Sequence, residues 1–144
     1  MGGPTCGPTS LVFNCEVVRG NAADVSRTTE LLKAHQRVYG KYPRQVAADQ
    51  GFYSGANLRT AKEAGIRDVV FDRKGSLRIE DMAGSSWIYR HLRRFRAGIE
   101  GCISWLKRIF GLRRCTWKGW NHFQQYVHAS VVACNLLVLA RLLL

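Results

Sequence analysis

The 144-residue sequence predicts an α/β fold: a short sheet flanked by helices, followed by a pair of long C-terminal helices. Three features predict it. Apolar, β-branched segments alternate with helix-period segments in the order β-α-β-α-β across residues 10–71, the pattern of a layered arrangement with parallel strands. An apolar stripe of 3.6-residue period then runs through residues 86–110. Finally, the chain closes on a nearly continuous apolar run, "YVHASVVACNLLVLARLLL".

The elements follow in order. "SLVFNCEVV" (10–18), between Gly7-Pro8 and Gly20-Asn21, reads as a strand. In residues 21–40, Val25, Thr28, Leu31, Leu32 and Val38 recur at helical spacing, and Gly40 is placed to end the helix. Pro43 breaks the chain, and "QVAAD" (45–49) is a short buried strand that ends on a carboxylate. "SGANLRTAKEAG" (54–65) is a second helix, with Ser54 as N-cap and Gly65 as the C-terminal glycine. "IRDVVF" (66–71) is a third strand. The polar, Gly/Ser-rich stretch 72–86 reads as a surface loop. A helix over 86–110, the link "GLRRCTWKGW" and a helix over 120–143 complete the chain. Residues 1–10, "MGGPTCGPTS", are expected to be a non-native-like or disordered N-terminus, with 11–144 as one domain.

Composition narrows the function. Apolar residues make up 47% of the chain, which excludes an unfolded chain. Lys and Arg outnumber Asp and Glu by 22 to 10, and the net charge of +12 favours a polyanionic partner, above all nucleic acid. Five cysteines without a CxxC pair offer neither a zinc pattern nor a disulfide framework, so reduced thiols are expected. The N-terminus lacks the charged and apolar regions of a secretory signal. The last segment is nearly long enough to span a bilayer, but His128, Asn135 and Arg141 favour a buried helix closing the core, and no membrane is expected.

The most informative stretch is "RRFRAGIEGCISWLKRIFGLRR" (93–114), a cationic helix that holds a single acid, Glu100. Ile88, Leu92, Phe95, Ile99, Ile103, Leu106 and Phe110 fall within a stripe about 80° wide, which is expected to dock on the sheet. Arg96, Glu100 and Lys107 cluster within about 40° along one border of that stripe. The same spacing suits an i, i+4 ion pair between Arg96 and Glu100 on a solvated face. A second acid, however, occupies a special place. Asp49 ends a strand, where α/β sheets put their chemistry, and the chain then turns sharply through Gly51 into a capped helix. An Asx-turn is the plain alternative for Asp49. Two carboxylates meeting at a sheet edge suit Mg²⁺, a cation that prefers hard oxygen ligands. A pair of such ions supports phosphodiester cleavage, and the surrounding Arg and Lys would hold the DNA backbone.

With "QVAADQGFYSGANL", "RRFRAGIEGCISWLKRIFGLRRCTWKGW" and the terminal "VVACNLLVLARLL" in view, the sequence resembles the catalytic domain of DDE-type bacterial insertion-sequence transposases. The resemblance implies a partial RNase H-like fold, a short mixed sheet flanked by helices with a C-terminal helical pair. It also implies Mg²⁺ or Mn²⁺ dependence and cut-and-paste phosphoryl transfer at element ends. On this resemblance Asp49 matches the second catalytic acid and Glu100 the third, both as metal ligands. Arg96 and Lys107 match the basic partners of that glutamate, with Arg93, Arg94, Arg108, Arg113, Arg114 and Lys118 as further DNA contacts. The implied partners are double-stranded DNA at transposon ends, and a second copy or a complementing transposase fragment. The implied location is the bacterial cytoplasm, on the nucleoid. Where the family often has a tyrosine three residues before the arginine, this chain has Arg93, so that role is not carried over. The family's first catalytic aspartate lies on an early strand, and no acid here occupies the matching context. A truncated transposase, inactive alone, is therefore expected; a non-catalytic, basic DNA-binding remnant is the alternative.

Overall fold

In the computed structural model, residues 4–6, 9–20, 24–72 and 77–144 are described, residues 4–6 as backbone only. The start of the first expected helix (21–23) and part of the expected loop (73–76) lie outside the described residues. The elements are β1 (Pro4–Cys6), β2 (Val12–Cys15), α1 (Thr28–Tyr39), β3 (Gln45–Ala48), α2 (Gly55–Glu63), β4 (Asp68–Phe71), α3 (Ile79–Met82), α4 (Ser86–Arg108) and α5 (Trp120–Leu143). The chain divides into two compact units. One comprises residues 22–97; the other comprises residues 1–21 together with 98–144.

The 22–97 unit is built on β3 and β4, paired in parallel with Gln45 opposite Asp68 and Ala48 opposite Phe71. α2 makes the crossover that parallel neighbours require. Side chains alternate across the pair, as the pleat demands. Val46, Ala48, Val69 and Phe71 join Leu32, Ala61 and Ile66 on one face, under α1 and α2. Ala47 and Val70 join Leu77, Met82, Tyr89 and Leu92 on the other, under α3 and the first turns of α4. β4 is therefore buried on both faces, which is why Val69–Phe71 reads as a continuous apolar run. Its first residue, Asp68, is also buried. Its carboxylate accepts from Gln45 Nε2 (2.9 Å) and from the Gly84 N–H (2.9 Å), which locks the start of the strand.

The helix ends follow the local chemistry expected of them. Gly40, at φ 71°, closes α1 with its N–H on the Gln36 carbonyl. Ser54 caps α2 by accepting from the Asn57 N–H at 2.9 Å. Gly65, at φ 82°, adopts the left-handed conformation just past the end of α2. Between β4 and α4, where a loop alone was expected, the chain makes the one-turn helix α3. Met82 and Ala83, at its end, are buried in the core.

The other unit is built on an antiparallel hairpin. β1 pairs β2 with Thr5 opposite Asn14, in a segment expected to lack order. β2 thus belongs to a hairpin rather than to one layer with β3 and β4, and the described strands form two two-stranded sheets. The reason is that β2 is satisfied by other partners. β1 takes one edge, and the Asn135 side chain closes a pair of hydrogen bonds with the Val12 N–H (2.9 Å) and carbonyl (2.7 Å). Val12, Leu106, Val131 and Cys134 form the core here, flanked by Cys15, Cys102, Trp105, Phe110 and Leu112.

The apolar stripe of α4 consequently does not dock on a single sheet. Ile88 and Leu92 pack in the 22–97 unit, whereas Leu106 and Phe110 pack against β2 and α5 in the other. α5 also departs from the expectation of a buried helix. Val127, Ser130, Val131 and Cys134 are buried, but Val132, Leu136, Leu139 and Leu143 are exposed. By length and composition α5 would suffice to cross a membrane. Its polar residues are nonetheless engaged within the unit. Asn135 binds β2, Ser130 Oγ donates to the Phe110 and Tyr126 carbonyls, and the Arg141 guanidinium lies 5.0 Å from the Trp105 ring centre.

Candidate active site

β3 and β4 run parallel, so their carboxyl ends lie side by side, and each is followed at once by an aspartate. Ala48 stands opposite Phe71, so Asp49 and Asp72 occupy equivalent positions at one end of the sheet. α4 supplies the opposite charge. Arg96 Nη2 lies 3.2 Å from Asp49 Oδ2, and Arg96 Nη1 lies 2.5 Å from Asp72 Oδ2. Arg93, one turn earlier on the same helix, places Nε 3.1 Å from Asp72 Oδ1 and its guanidinium 5.9 Å from the Tyr89 ring centre. Two carboxylates and two guanidiniums thus meet at the strand ends, with no net charge among the four.

The loop carrying Asp49 is rigidly held. Asp49 Oδ1 accepts from the Gln50 N–H at 2.7 Å and caps the short turn Gln50–Phe52, the Asx role weighed from the sequence. Asn57 Nδ2 ties that turn down, donating to the carbonyls of Val25 (2.7 Å) and Phe52 (2.9 Å) and to Thr28 Oγ1 (2.9 Å). Gly51 lies close to Asp24: a Cβ there would stand 2.9 Å from Asp24 Oδ2 and would have to displace that carboxylate. Capping uses Asp49 Oδ1, which leaves Oδ2 to the guanidinium and to solvent; the Asp49 side chain is 56% exposed.

Of the residues read from the sequence, Asp49, Arg96 and Arg93 are brought together in the 22–97 unit. Arg94 is exposed on the same helix. Glu100 and Lys107 follow farther along α4, in the part belonging to the other unit, and are exposed. Arg108, Arg113, Arg114 and Lys118 are exposed around the end of α4 and the link to α5. That link is shaped by Gly111, at φ 73°, whose carbonyl accepts from the Tyr126 hydroxyl at 2.9 Å. Of the two tryptophans near it, Trp105 packs edge-on against Phe110, 5.3 Å between centres, while Trp117 is half exposed beside Tyr126.

Asp72 is the residue that the sequence reading passed over, assigning it to a polar loop. Its signal was present: "VAAD" and "VVFD" are the same strand-ending motif. Among the described residues no group of three or more His, Cys, Asp or Glu side chains is arranged to hold a metal ion. The hard carboxylate oxygen at Asp49 fits a divalent cation in kind, though not in number of ligands.

A family model described as "Transposase DDE domain" matches residues 5–136. The chain belongs to the DDE transposase domain family. No curated protein and no solved structure matches it. The transposase domain match begins within β1 and takes in both sheets, α4 and most of α5. Membership ties the chain to DNA transposition, with DNA as the family's substrate and a divalent metal as its usual cofactor.

Proposed function

We propose that this chain is part of an RNase H-like DDE catalytic domain that acts in metal-dependent phosphodiester cleavage and strand transfer at transposon ends. In this reading Asp49 is the second catalytic acid and Glu100 the third, and the two hold Mg²⁺ or Mn²⁺. Arg96 and Lys107 contact the DNA at the reacting end. Arg93, Arg94, Arg108, Arg113, Arg114 and Lys118 hold the phosphate backbone farther out. The observation that carries the reading is the position of Asp49: a strand-ending carboxylate, fixed by its own turn, with an arginine of the R-x-x-x-E helix 3.2 Å away.

A bound divalent cation supplies activation of a water or 3′-hydroxyl and stabilisation of the leaving oxygen. The chain's own residues do the rest. Asp49 offers a carboxylate oxygen whose direction is set by the Gln50 N–H. Arg96 offers planar, forked donors matched to a phosphodiester. Since no acid in this sequence takes the place of the first catalytic aspartate, the chain by itself is inactive and depends on a complementing fragment for that group.

The test is nicking and strand transfer on DNA bearing the element's ends, with Mg²⁺ or Mn²⁺ and a polypeptide carrying the first acid. The expected result is metal-dependent activity only when both polypeptides are present, and its loss in Glu100→Gln. A second reading, a non-catalytic DNA-binding remnant, is favoured by the net charge of +12 and the exposed arginines of the α4–α5 link. Salt-sensitive DNA binding without cleavage under any complementation would establish it instead.

A further inference from the structure

We propose that Cys102 and Cys134 form a reversible oxidation site, in which Cys102 takes an adduct from a small-molecule disulfide in an open groove and Cys134 converts it into a cross-link between α4 and α5. The site lies wholly within the unit formed by residues 1–21 and 98–144 and does not depend on the catalytic reading. Three observations carry it. First, the thiols are gathered. Cys134 belongs to the buried core of this unit, Cys102 and Cys15 pack against that core, and the Cys134 thiol is hydrogen-bonded to Cys102. Among the described residues no such group is arranged to hold a metal ion, so the chemistry left to these sulfurs is their own. Second, the pair is reached from one side. A groove of about 530 Å³ is lined by both Cys102 and Cys134, with Gly98, Gly101, Trp105 and Arg141 around them. A Cβ at Gly98 or Gly101 would meet nothing within 4 Å, so α4 leaves the approach open. Cys102 is partly exposed and Cys134 fully buried, so a reagent in the groove meets Cys102 first. Third, the charges divide the roles. Arg141, whose guanidinium lies 5.0 Å from the Trp105 ring centre, brings a positive charge to the groove wall, which favours a thiolate and attracts an anionic reagent such as oxidised glutathione. Cys134 is held protonated by burial and then by Cys102, and a thiol that donates to its neighbour supports charge there.

The chemistry is two thiol–disulfide exchanges. The Cys102 thiolate attacks one sulfur of oxidised glutathione, the glutathione S–S bond breaks, and one glutathione leaves as a thiolate. That thiolate takes the proton given up by Cys102. Cys134 then passes its proton to the second departing glutathione as its sulfur attacks Cys102 Sγ. The Cys102–Cys134 bond forms and the mixed disulfide breaks. Two protein thiols are oxidised, one small disulfide is reduced to two thiols, and excess reduced glutathione runs both steps backwards. The high proton affinity of Cys134 slows its attack in solution, and its contact with Cys102 offsets this by proximity.

Trypsin separates the partners, with Cys102 in residues 97–107, Cys134 in 119–141, Cys115 in 115–118, and Cys6 with Cys15 in 1–19. The reduced full chain, dilute and folded, is treated with oxidised glutathione, blocked with N-ethylmaleimide, digested without reductant and analysed by mass spectrometry over time. Glutathione on 97–107 is expected to appear first and to give way to a 97–107/119–141 cross-link, in several-fold excess over any other pair and lost on adding dithiothreitol. Cys134→Ser is expected to leave glutathione standing on 97–107. Cys102→Ser is expected to remove both products, while Cys115 is modified as before. The proposal is overturned if Cys115 is modified and no 97–107/119–141 cross-link forms, or if Cys102 joins the 1–19 peptide or a second chain instead. Equal yield of the cross-link in urea would overturn it too, since the folded contact would then contribute nothing. Should either serine variant fail to fold, the order of products in the parent decides: a cross-link with no preceding adduct on 97–107 sinks the assignment of roles.

Discussion

Asp68 and Asp72 bracket the same four-residue strand, and their surroundings give them opposite uses. Asp72 sits at the carboxyl end among arginines. Asp68 sits at the amino end, inside the core. Burial alone would raise the Asp68 pKa, but the hydrogen bonds from Gln45 and Gly84 and the charges of Arg67 and Lys62 outweigh it and leave the carboxyl below its ordinary value of 3.8. A depressed folded-state pKa stabilises the fold above the unfolded value and is lost as pH falls through 3.8 towards the folded value. Thermal melts between pH 6 and 3 should therefore show a decline in the parent that is shallower in Asp68→Asn, a variant itself destabilised by about 1–3 kcal/mol because it disturbs two buried hydrogen bonds. The thiols give a second residue-level expectation. Burial, then the neighbouring Cys102 charge and hydrogen bond, push Cys134 up to about 11. At pH 8 about a thousandth of it is thiolate, so iodoacetamide should modify Cys115, in the exposed link, long before Cys134. Peptide mass spectrometry over a time course checks the order.

At the level of elements, the two β-pairs are stabilised differently. The β3–β4 pair is sandwiched, with Phe71 fully buried against Leu32, Ala61 and Ile66, and Phe71→Ala is expected to cost about 3–5 kcal/mol in urea denaturation. The hairpin is short, and its end is secured by one amide. Asn135→Leu would bury more apolar surface yet leave the Val12 N–H and carbonyl unmatched, at a cost of about 1–3 kcal/mol. The expected signature is faster amide exchange at Val12, with β4 unchanged. Asn135 also bears on the last helix. An asparagine in an apolar run was read from the sequence as an argument for burial, and its use is more specific: it pairs with the β2 backbone as a neighbouring strand would. One face of α5 is spent on that contact, and the stripe Val132, Leu136, Leu139 and Leu143 remains exposed.

For the whole molecule, the decisive quantities are charge and family. A chain of net charge +12 that belongs to the DDE transposase domain family should bind duplex DNA with affinity falling about tenfold or more between 50 and 200 mM salt. Replacing Arg113 and Arg114 with Gln should lower the slope of log affinity against log salt by about one per residue, measured by fluorescence anisotropy. Much of this was legible beforehand. Helix termini at Gly40, Ser54 and Gly65, the span of α5 and the strand-ending Asp49 all follow from information local in sequence: a period, a cap, a residue that tolerates positive φ. Which strands pair, and which acid meets which arginine, follow from contacts between residues far apart in the chain. β2 therefore went to a hairpin with β1 instead of to β3. Arg96, four residues from Glu100, also reached across to Asp49 and Asp72. Sequence alone determined the basic helix with its single acid and the carboxylate at the end of β3. Only the tertiary structure decided that a second carboxylate, one strand over, shares the same arginine, because the pairing and register of the strands, not the motif itself, set that neighbour.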